Sequence, residues 1–194
     1  MSGRSDTGSY VSYFPWNPAE GQQPAGYYHA KTALKDGRTA ALMDSGAFTN
    51  LGGGKAVRAH AAVAKAFGHE TTQRRMKEPL YVSGLGNGVK KAEWEVSLPI
   101  ALPDEFGGAT LHHIVVPVLD NDPTDRMDTS ADLPIIQGSR SLEENCAVIE
   151  MTKEGKKVTF PGPGGYKIVW APGAITVPLE RAQSGHPMMP IWGI

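Results

Sequence analysis

The sequence contains a single cysteine, Cys146, among its 194 residues. One thiol cannot form a disulfide within the chain. It also excludes a zinc site with four cysteine ligands and an iron–sulfur cluster. No histidine or basic helix end lies near Cys146 in the sequence, so we expect it to be a small buried hydrophobic residue rather than a reactive thiol.

Long apolar runs and an excess of charge are also missing. No run approaches the roughly 18–20 apolar residues that span a bilayer, and no basic stretch followed by an apolar one marks a signal peptide. The 19 Lys and Arg residues nearly balance the 20 Asp and Glu residues. This balance gives no general electrostatic reason to bind nucleic acid or an acidic membrane. We therefore expect a soluble, intracellular protein of the cytoplasm, with the nucleus left open, and neither a nucleic-acid nor a membrane partner.

The six histidines show no spacing typical of metal ligands. His112 and His113 are adjacent in a predicted strand, so they point to opposite faces and cannot bind one ion together. The basic residues in 74–77 have no aromatic residues between them, and we interpret them as part of a solvated connector rather than a nucleic-acid site. The sequence therefore predicts no metal and no cofactor.

Glycine and proline are abundant, with 23 and 15 residues. This composition favours short strands joined by turns over a helical bundle, and the 40% of hydrophobic residues suffices for one core. We expect a mostly β fold of one domain with tails. Residues 1–26, rich in Gly, Ser, Pro and Gln, are predicted to be a flexible leader.

Periodicity predicts the elements in the first half of the chain. Strand composition at 27–34 is followed by a hairpin turn at 35–38. The apolar run from Ala40 to Met43 predicts a strand buried on both faces. Apolar residues three or four apart, including Val57 and Phe67, predict a helix over 55–68, and residues 71–79 are predicted to be a polar connector.

In the second half, apolar and polar residues alternate from Ala92 to Leu98, which predicts a strand with one buried face and Trp94 in the core. The remaining predictions are a polar loop over 120–132, a short helix at about 139–145, and strands at 111–119, 133–138, 146–151, 156–160 and 166–170.

Three short segments could carry chemistry. The first is Asp44-Ser45-Gly46-Ala47, where a carboxylate follows an apolar strand and is costly to bury unless it is hydrogen-bonded or used. By itself, such a triplet is more often an ordinary turn. The second is a hairpin whose tip of small residues can open and close over a cleft. Its residues are Ser83, Gly84, Leu85, Gly86, Asn87 and Gly88.

An ordinary flexible hairpin is the alternative for this second segment. A phosphate-binding loop does not fit, because the next residues alternate as a strand and provide no helix N-terminus. The third segment is the apolar strand 133–138, which contains Ile135 and Ile136 and ends at Gly138 before a short helix.

In this order, AALMDSGA (40–47), VSGLGNG (82–88) and LPIIQGSRSL (133–142) resemble the retropepsin family of aspartic proteases, above all the protease domains of retrotransposon polyproteins. The resemblance covers about residues 27–151. It implies a retropepsin-like closed β-barrel, the single-lobed acid protease fold, with the helix at 55–68 as an insertion. Residues 152–194 would then be a C-terminal strand-rich extension and tail.

The resemblance implies an aspartic endopeptidase that processes a polyprotein and acts as a homodimer, because each retropepsin chain carries one catalytic aspartate. Asp44 would be that residue, supported by Ser45, Gly46 and Ala47. Residues 83–88 would form the flap over an extended peptide substrate, and Ile135, Ile136 and Gly138 the floor strand. Asp6-Thr7-Gly8 also matches the Asp-Ser/Thr-Gly triplet of the family. It lies in the polar leader, however, with no apolar strand before it, so Asp44 remains the one predicted catalytic aspartate.

The sequence departs from the family pattern at two positions. Phe48 stands near the place of an acidic residue that in many retropepsins pairs with an arginine after the later glycine, although Arg140 is present. Gln137 stands where an apolar residue is common. These departures leave open an inactive retropepsin-fold module that binds peptides or dimerises. A third possibility is a monomeric, strand-rich structural domain in which Asp44 only caps a turn.

Overall fold

The fold is described from a computed structural model that covers residues 34–83, 85, 89–103, 106–124, 126, 128–183 and 185–191. Some predictions fall outside these residues: the leader over 1–26, strand residues 27–33, and the hairpin-tip residues Gly84, Gly86, Asn87 and Gly88. Within the described residues most of the regular structure is strand, so the mostly β prediction is confirmed.

The elements follow the chain in alternating strands and short helices. In order they are β1 (Ala41–Asp44), β2 (Gly52–Gly53), α1 (Gly54–Ala66), β3 (Thr72–Ser83), β4 (Val89–Pro103), β5 (Ala109–Leu119), β6 (Ile135–Gly138), α2 (Ser139–Glu144), β7 (Val148–Met151), β8 (Lys156–Thr159), β9 (Glu180–Arg181) and β10 (Pro187–Met188), with single 3-10 turns at Ser130–Asp132 and Gly162–Gly164.

The largest sheet has four strands in the spatial order β2-β5-β4-β3. β4 is antiparallel to both of its neighbours, and β2 joins β5 in parallel. β1 and β6 form a separate parallel pair, and β7–β8 and β9–β10 are antiparallel pairs. These four sheets close no barrel in the part of the chain that the structure describes, so the predicted closed barrel is not found there.

Two buried hydrophobic clusters form the core. The first joins α1 to the faces of β4 and β5 and includes Val57 and Ile135. The second lies nearer the start of β4 and includes Leu51, Ala92 and Ile136. Ile135 and Ile136 alternate between the two clusters, so β6 is buried on both faces, as predicted for a short strand at 133–138.

The helix and the turns are close to the prediction. α1 spans Gly54–Ala66 and ends before Gly68, whose φ of 81° is the left-handed backbone that glycine adopts readily. Phe67, however, is 77% exposed. Its backbone has already left the helix, so the helical spacing no longer turns its side chain toward the core. The turn before β1 is present, with Gly37 N–H donating to the Leu34 carbonyl at 3.0 Å.

Residues 71–79 are not a connector, because β3 begins at Thr72. They form an edge strand whose side chains are mostly exposed. Because neither face is buried, apolar residues do not alternate along this segment, and nothing in the sequence indicated a strand. Its register against β4 shifts between Arg75 and Leu80. Trp94 lies beside this irregularity and contributes to neither cluster, so its predicted place in the core is wrong; it is 44% exposed.

Three further predictions are wrong. β1 is exposed or half-buried rather than buried on both faces, because in the described residues it pairs only with β6. No strand forms at 166–170, where an apolar run has no partner strand and stays exposed. Cys146 is exposed, at a left-handed turn with φ 52° after α2.

The segment beyond residue 151 is joined to the rest of the fold. The predicted boundary falls between β7 and β8, which are the two strands of one hairpin. Residues 165–179 contain no strand. β9 and β10 then form a short hairpin near the end of the described residues.

Candidate functional site

Asp44 lies at the last position of β1, and its own side chain ends the strand. The Gly46 N–H donates to Asp44 Oδ1 at 2.8 Å, and the Ala47 N–H donates to the Asp44 carbonyl at 3.2 Å. Such a side-chain-to-backbone bond two residues on is the Asx turn that aspartate forms readily. Asp44 is half-buried, whereas Ser45 and Gly46 are exposed. Among the described residues its carboxylate makes this one hydrogen bond, which leaves Oδ2 available to a ligand.

The loop that follows Asp44, residues 45–50, passes around the end of β6, so that β6 lies between β1 and Leu51. On one side β6 pairs in parallel with β1, so that Asp44 lies opposite Gly138. On the other side Leu51 and Ile136 exchange both backbone hydrogen bonds, at 3.1 and 2.7 Å. The first and third sequence segments, far apart in the chain, therefore meet at the carboxyl ends of two parallel strands.

Gly138 allows this close approach. A Cβ atom at this position would lie 2.4 Å from the Thr49 carbonyl oxygen and 2.8 Å from that of Ala47. Both contacts are with backbone, which cannot swing away as a side chain could. The Gly138 N–H also donates to Asn50 Oδ1 at 3.1 Å, and Asn50 Nδ2 donates to the Val115 carbonyl. Asn50 thus joins the loop to β5, a role that nothing in the sequence signalled.

The first backbone N–H groups of α2 hold the same loop. Ser139 N–H donates to the Ala47 carbonyl at 2.7 Å, and Arg140 N–H donates to the Phe48 carbonyl at 3.0 Å. These helix N–H groups have no partner within their own helix, so the loop satisfies them. The Arg140 side chain pairs instead with Glu144 on α2 at 2.9 Å. The loop is consequently fixed through its backbone, without an ion pair from Arg140.

The stem of the β3–β4 hairpin packs against the same core cluster as the Asp44 loop. Leu80, Val82 and Leu85 from the hairpin contact this cluster, and so do Leu42 and Ala47 from β1 and the loop. Ser83 is exposed and lies opposite Val89 at the last described pair of the hairpin. The stem of the predicted flap and the predicted catalytic loop therefore share one hydrophobic support.

A buried ion pair anchors the start of β4. Lys90 Nζ lies 3.0 Å from Asp128 Oδ2, with side chains that are 14% and 3% exposed. The Asp128 carboxylate also accepts hydrogen bonds from the N–H groups of Asp122 and Ser130 and from the Ser130 hydroxyl. Burial alone would raise the pKa of Asp128, but these hydrogen bonds and Lys90 hold it well below its usual value.

This anchor was missed because residues 120–132 have the composition of an ordinary polar loop. The local signal is the Asp128-Thr129-Ser130 sequence, in which an aspartate can accept from the backbone two residues later. The partner lysine on another strand leaves no trace in the sequence.

The predicted floor residues are buried in the single chain. Ile135 and Ile136 are each 4% exposed, and their side chains pack into the two core clusters rather than lining an open surface. Gln137 is also buried, at 6% exposure, and borders a cleft of about 650 Å³ between α2 and the β4–β5 face. The cleft is also lined by Asn50 and Arg140.

Neither a metal site nor a membrane-spanning helix is found in the described ranges. No group of three or more His, Cys, Asp and Glu side chains there is arranged to hold a metal ion. None of the helices formed by these residues is long and apolar enough to cross a membrane.

The chain was compared with protein-family models, with curated proteins and with solved structures. None of the three comparisons found a match.

Proposed function

We propose that this chain is a retropepsin-like aspartic endopeptidase that acts as a homodimer and processes a polyprotein in the cytoplasm. Asp44 from each subunit would form the catalytic pair. The proposal takes its activity, its single-lobed acid protease fold and its substrate class from the resemblance of the three sequence segments. The geometry of the described residues supports it at one point above all.

That supporting observation is the position of Asp44 opposite Gly138 at the ends of two parallel strands. An isolated turn has no need of a second strand, or of a glycine fitted against its loop with no room for a Cβ. Here the loop is held by β6, by the start of α2 and by Leu51, yet Ser45 and Gly46 remain exposed. A rigidly supported, accessible carboxylate is what acid–base catalysis requires.

Two such carboxylates brought together at a dimer axis would share one proton. Like charges about 3 Å apart cannot both ionise easily, and aspartic proteases use this pairing to keep one carboxyl protonated and the other ionised. A single chain with one Asp44 supplies half of this arrangement, so activity would require the second copy. Ser45, Gly46 and Ala47 would orient the carboxylates.

The reaction would proceed by addition of water to the scissile carbonyl. The ionised carboxylate takes one proton from the water while the remaining hydroxide bonds to the carbonyl carbon, and the protonated carboxyl donates its proton to the carbonyl oxygen. Collapse of this tetrahedral intermediate breaks the C–N bond. The carboxyl that took the proton from water donates it to the leaving amine, and the other carboxylate takes a proton from one hydroxyl of the intermediate as that oxygen becomes the carbonyl oxygen of the acid product. The pair then again holds the single proton with which it began, so these steps need no metal or cofactor.

The substrate would bind as an extended strand between the Asp44 loop and the hairpin tip, Ser83, Gly84, Leu85, Gly86, Asn87 and Gly88. Extended peptides bind through main-chain hydrogen bonds, while alternate side chains enter pockets on either side. Closure of the tip would exclude water other than the reacting molecule.

The decisive variant is Asp44→Asn in the full chain. Asparagine keeps an Oδ1 acceptor for the Gly46 N–H, so the turn should survive while the proton transfer is lost. We expect wild-type protein to cleave peptide libraries at acidic to neutral pH and the variant to lose at least about a thousandfold in kcat/KM. Sedimentation should give a dimer for both proteins. Equal cleavage by the variant would refute the proposal.

An inactive peptide-binding or dimerisation module is the second candidate. It is favoured by the buried Gln137 beside the Asp44 strand and by the lack of an ion pair from Arg140 to the loop. A dimer that binds extended peptides, with Asp44→Asn binding them equally well and neither protein cleaving them, would establish this candidate instead.

A further inference from the structure

The hairpin formed by β9 and β10, residues 180–188 with Ser184 outside the described residues, contacts the Asp44 loop. His186 Nε2 lies 2.6 Å from the carbonyl oxygen of Gly46, across a separation of 140 positions in the sequence. A carbonyl oxygen only accepts hydrogen bonds, so Nε2 must carry the proton and donate it. The contact therefore requires a proton on Nε2, and it bonds the residue two positions after Asp44.

The hairpin turn is built to present His186. Gly185 N–H donates to the Ala182 carbonyl at 2.9 Å, and Ala182 N–H donates to the His186 carbonyl at 3.0 Å. Gly185 has a φ of 88°, and a Cβ atom there would come within 2.4 Å of the Phe48 ring. A side chain at this position would be strained in its backbone and would press on the ring. Glycine therefore lets the turn lie flat against Phe48.

Phe48 itself completes the contact. Its ring meets the His186 ring edge to face, with centroids 6.4 Å apart and planes 60° apart. Aromatic pairs at this distance and angle attract each other beyond the area they bury. Gly46 and Phe48 are thus both held by the hairpin, one through its carbonyl and the other through its side chain.

The hairpin is also tied to α2, the helix whose first N–H groups hold the same loop. Arg181 Nη2 lies 2.5 Å from both carboxylate oxygens of Glu143 on α2. The pair is more than half exposed, so its contribution to stability is small, but it fixes orientation. The first N–H groups of α2 hold the carbonyls of Ala47 and Phe48. The loop after Asp44 is consequently clamped between α2 and the C-terminal hairpin.

We propose that His186 is a positioning residue for Asp44: its hydrogen bond to Gly46 and its contact with Phe48 hold the Asx turn that presents the carboxylate. The holding of the loop is a property of the described contacts. Its catalytic consequence rests on the proposed endopeptidase function. The C-terminal hairpin would then be a working part of the site, although it lies outside the segment that carries the family resemblance.

The test compares His186→Ala and His186→Gln in the full chain with wild type. Alanine removes the donor and the ring, whereas glutamine keeps an N–H that can reach a carbonyl. His69→Ala is the matched control, because His69 is exposed and lies beyond α1, outside the clamp. Amide hydrogen exchange of Gly46 and Ala47 reports the turn directly, and peptide cleavage reports its catalytic effect.

We expect exchange at both amides to be about tenfold faster in His186→Ala, the equivalent of one hydrogen bond, and to be largely restored in His186→Gln. The kcat should fall about tenfold with little change in KM. Exchange in His186→Ala equal to that of His69→Ala would overturn the proposal. Faster exchange with unchanged kcat would overturn its catalytic part.

The two proposals fail in different ways. If wild-type protein cleaves no peptide, the endopeptidase function fails, while hydrogen exchange still decides whether His186 holds the turn.

Discussion

The backbone of Thr49 lies so close to Gly138 that no side chain fits between them. A Cβ atom on Gly138 would lie 2.4 Å from the Thr49 carbonyl oxygen and 2.5 Å from its carbonyl carbon. Neither partner can withdraw without breaking the bonds from Ser139 and Arg140 to the same loop. One glycine therefore keeps the Asp44 loop against the end of β6.

Gly138→Ala should destabilise the protein by about 2–3 kcal/mol, because overpacking at a backbone contact forces the loop away from β6. Urea unfolding with a fixed m-value measures this loss. Gly155→Ala is the control, since a Cβ atom there meets nothing within 4 Å, and its cost should be below about 0.5 kcal/mol. Equal costs for the two variants would show that the loop does not contact Gly138 in solution.

Asp44→Ala and Asp44→Asn should differ in stability. Asparagine keeps the acceptor for the Gly46 N–H, whereas alanine leaves that donor without its partner. We expect alanine to cost about 1 kcal/mol and asparagine less than half of that. Chemical denaturation at neutral pH resolves the difference, and identical midpoints for the two variants would contradict the Asx turn.

The Lys90–Asp128 anchor predicts an acid-sensitive contribution to stability. Because the pKa of Asp128 is lower in the folded protein than the usual value near 3.9, its contribution is complete above about pH 4. It is lost as the pH falls through the folded-state pKa. Asp128→Asn should cost about 2–3 kcal/mol at pH 7, since it leaves a buried lysine without its partner.

Below pH 4 the gap in stability between wild type and Asp128→Asn should narrow. Urea unfolding at pH 7, 4 and 3 measures the gap. Asp120→Asn serves as the control on the same loop, because Asp120 pairs with Arg58 at the surface and should contribute below about 0.5 kcal/mol. A gap that stays constant from pH 7 to pH 3 would show that Asp128 does not carry the contribution.

The two ends of α1 provide a test of its packing. Val57 is 3% exposed in the first hydrophobic cluster, and Phe67, just past the helix, is 77% exposed. Val57→Ala should therefore cost about 2 kcal/mol, and Phe67→Ala below about 0.5 kcal/mol. Thermal or urea denaturation of both variants measures the difference. A larger cost at Phe67 would mean that another surface, such as a second copy, covers it.

Local patterns predicted much of the fold. Alternation located β4, helical spacing located α1, the apolar run before Gly138 located β6, and the strand predicted at 111–119 is β5. These signals worked because each element has a buried face or, for β6, two buried faces. The prediction missed β3 over 72–79, because an exposed edge strand shows no alternation of apolar and polar residues. The strand predicted at 166–170 does not form, because no neighbouring strand pairs with it in the described residues.

Only part of the candidate site could be predicted from the sequence. The Asp44 turn and the strand ending at Gly138 could be named from their residues, since a turn and a close approach require particular residue types. The residues that hold these segments in place could not be predicted. Asn50, Lys90 with Asp128, and His186 act through contacts between distant segments, and single residues of these types are common on any surface.

The loop after Asp44 is short, but its supports come from far along the chain. Its contacts with Gly138, Ser139 and His186 span 88, 92 and 140 positions. Closing such long loops is slow compared with forming a hairpin or a helix. During synthesis the Asp44 turn would thus gain its last support only after the C-terminal hairpin has left the ribosome. A nascent chain would contain Asp44 long before the hairpin could hold the carboxylate in place.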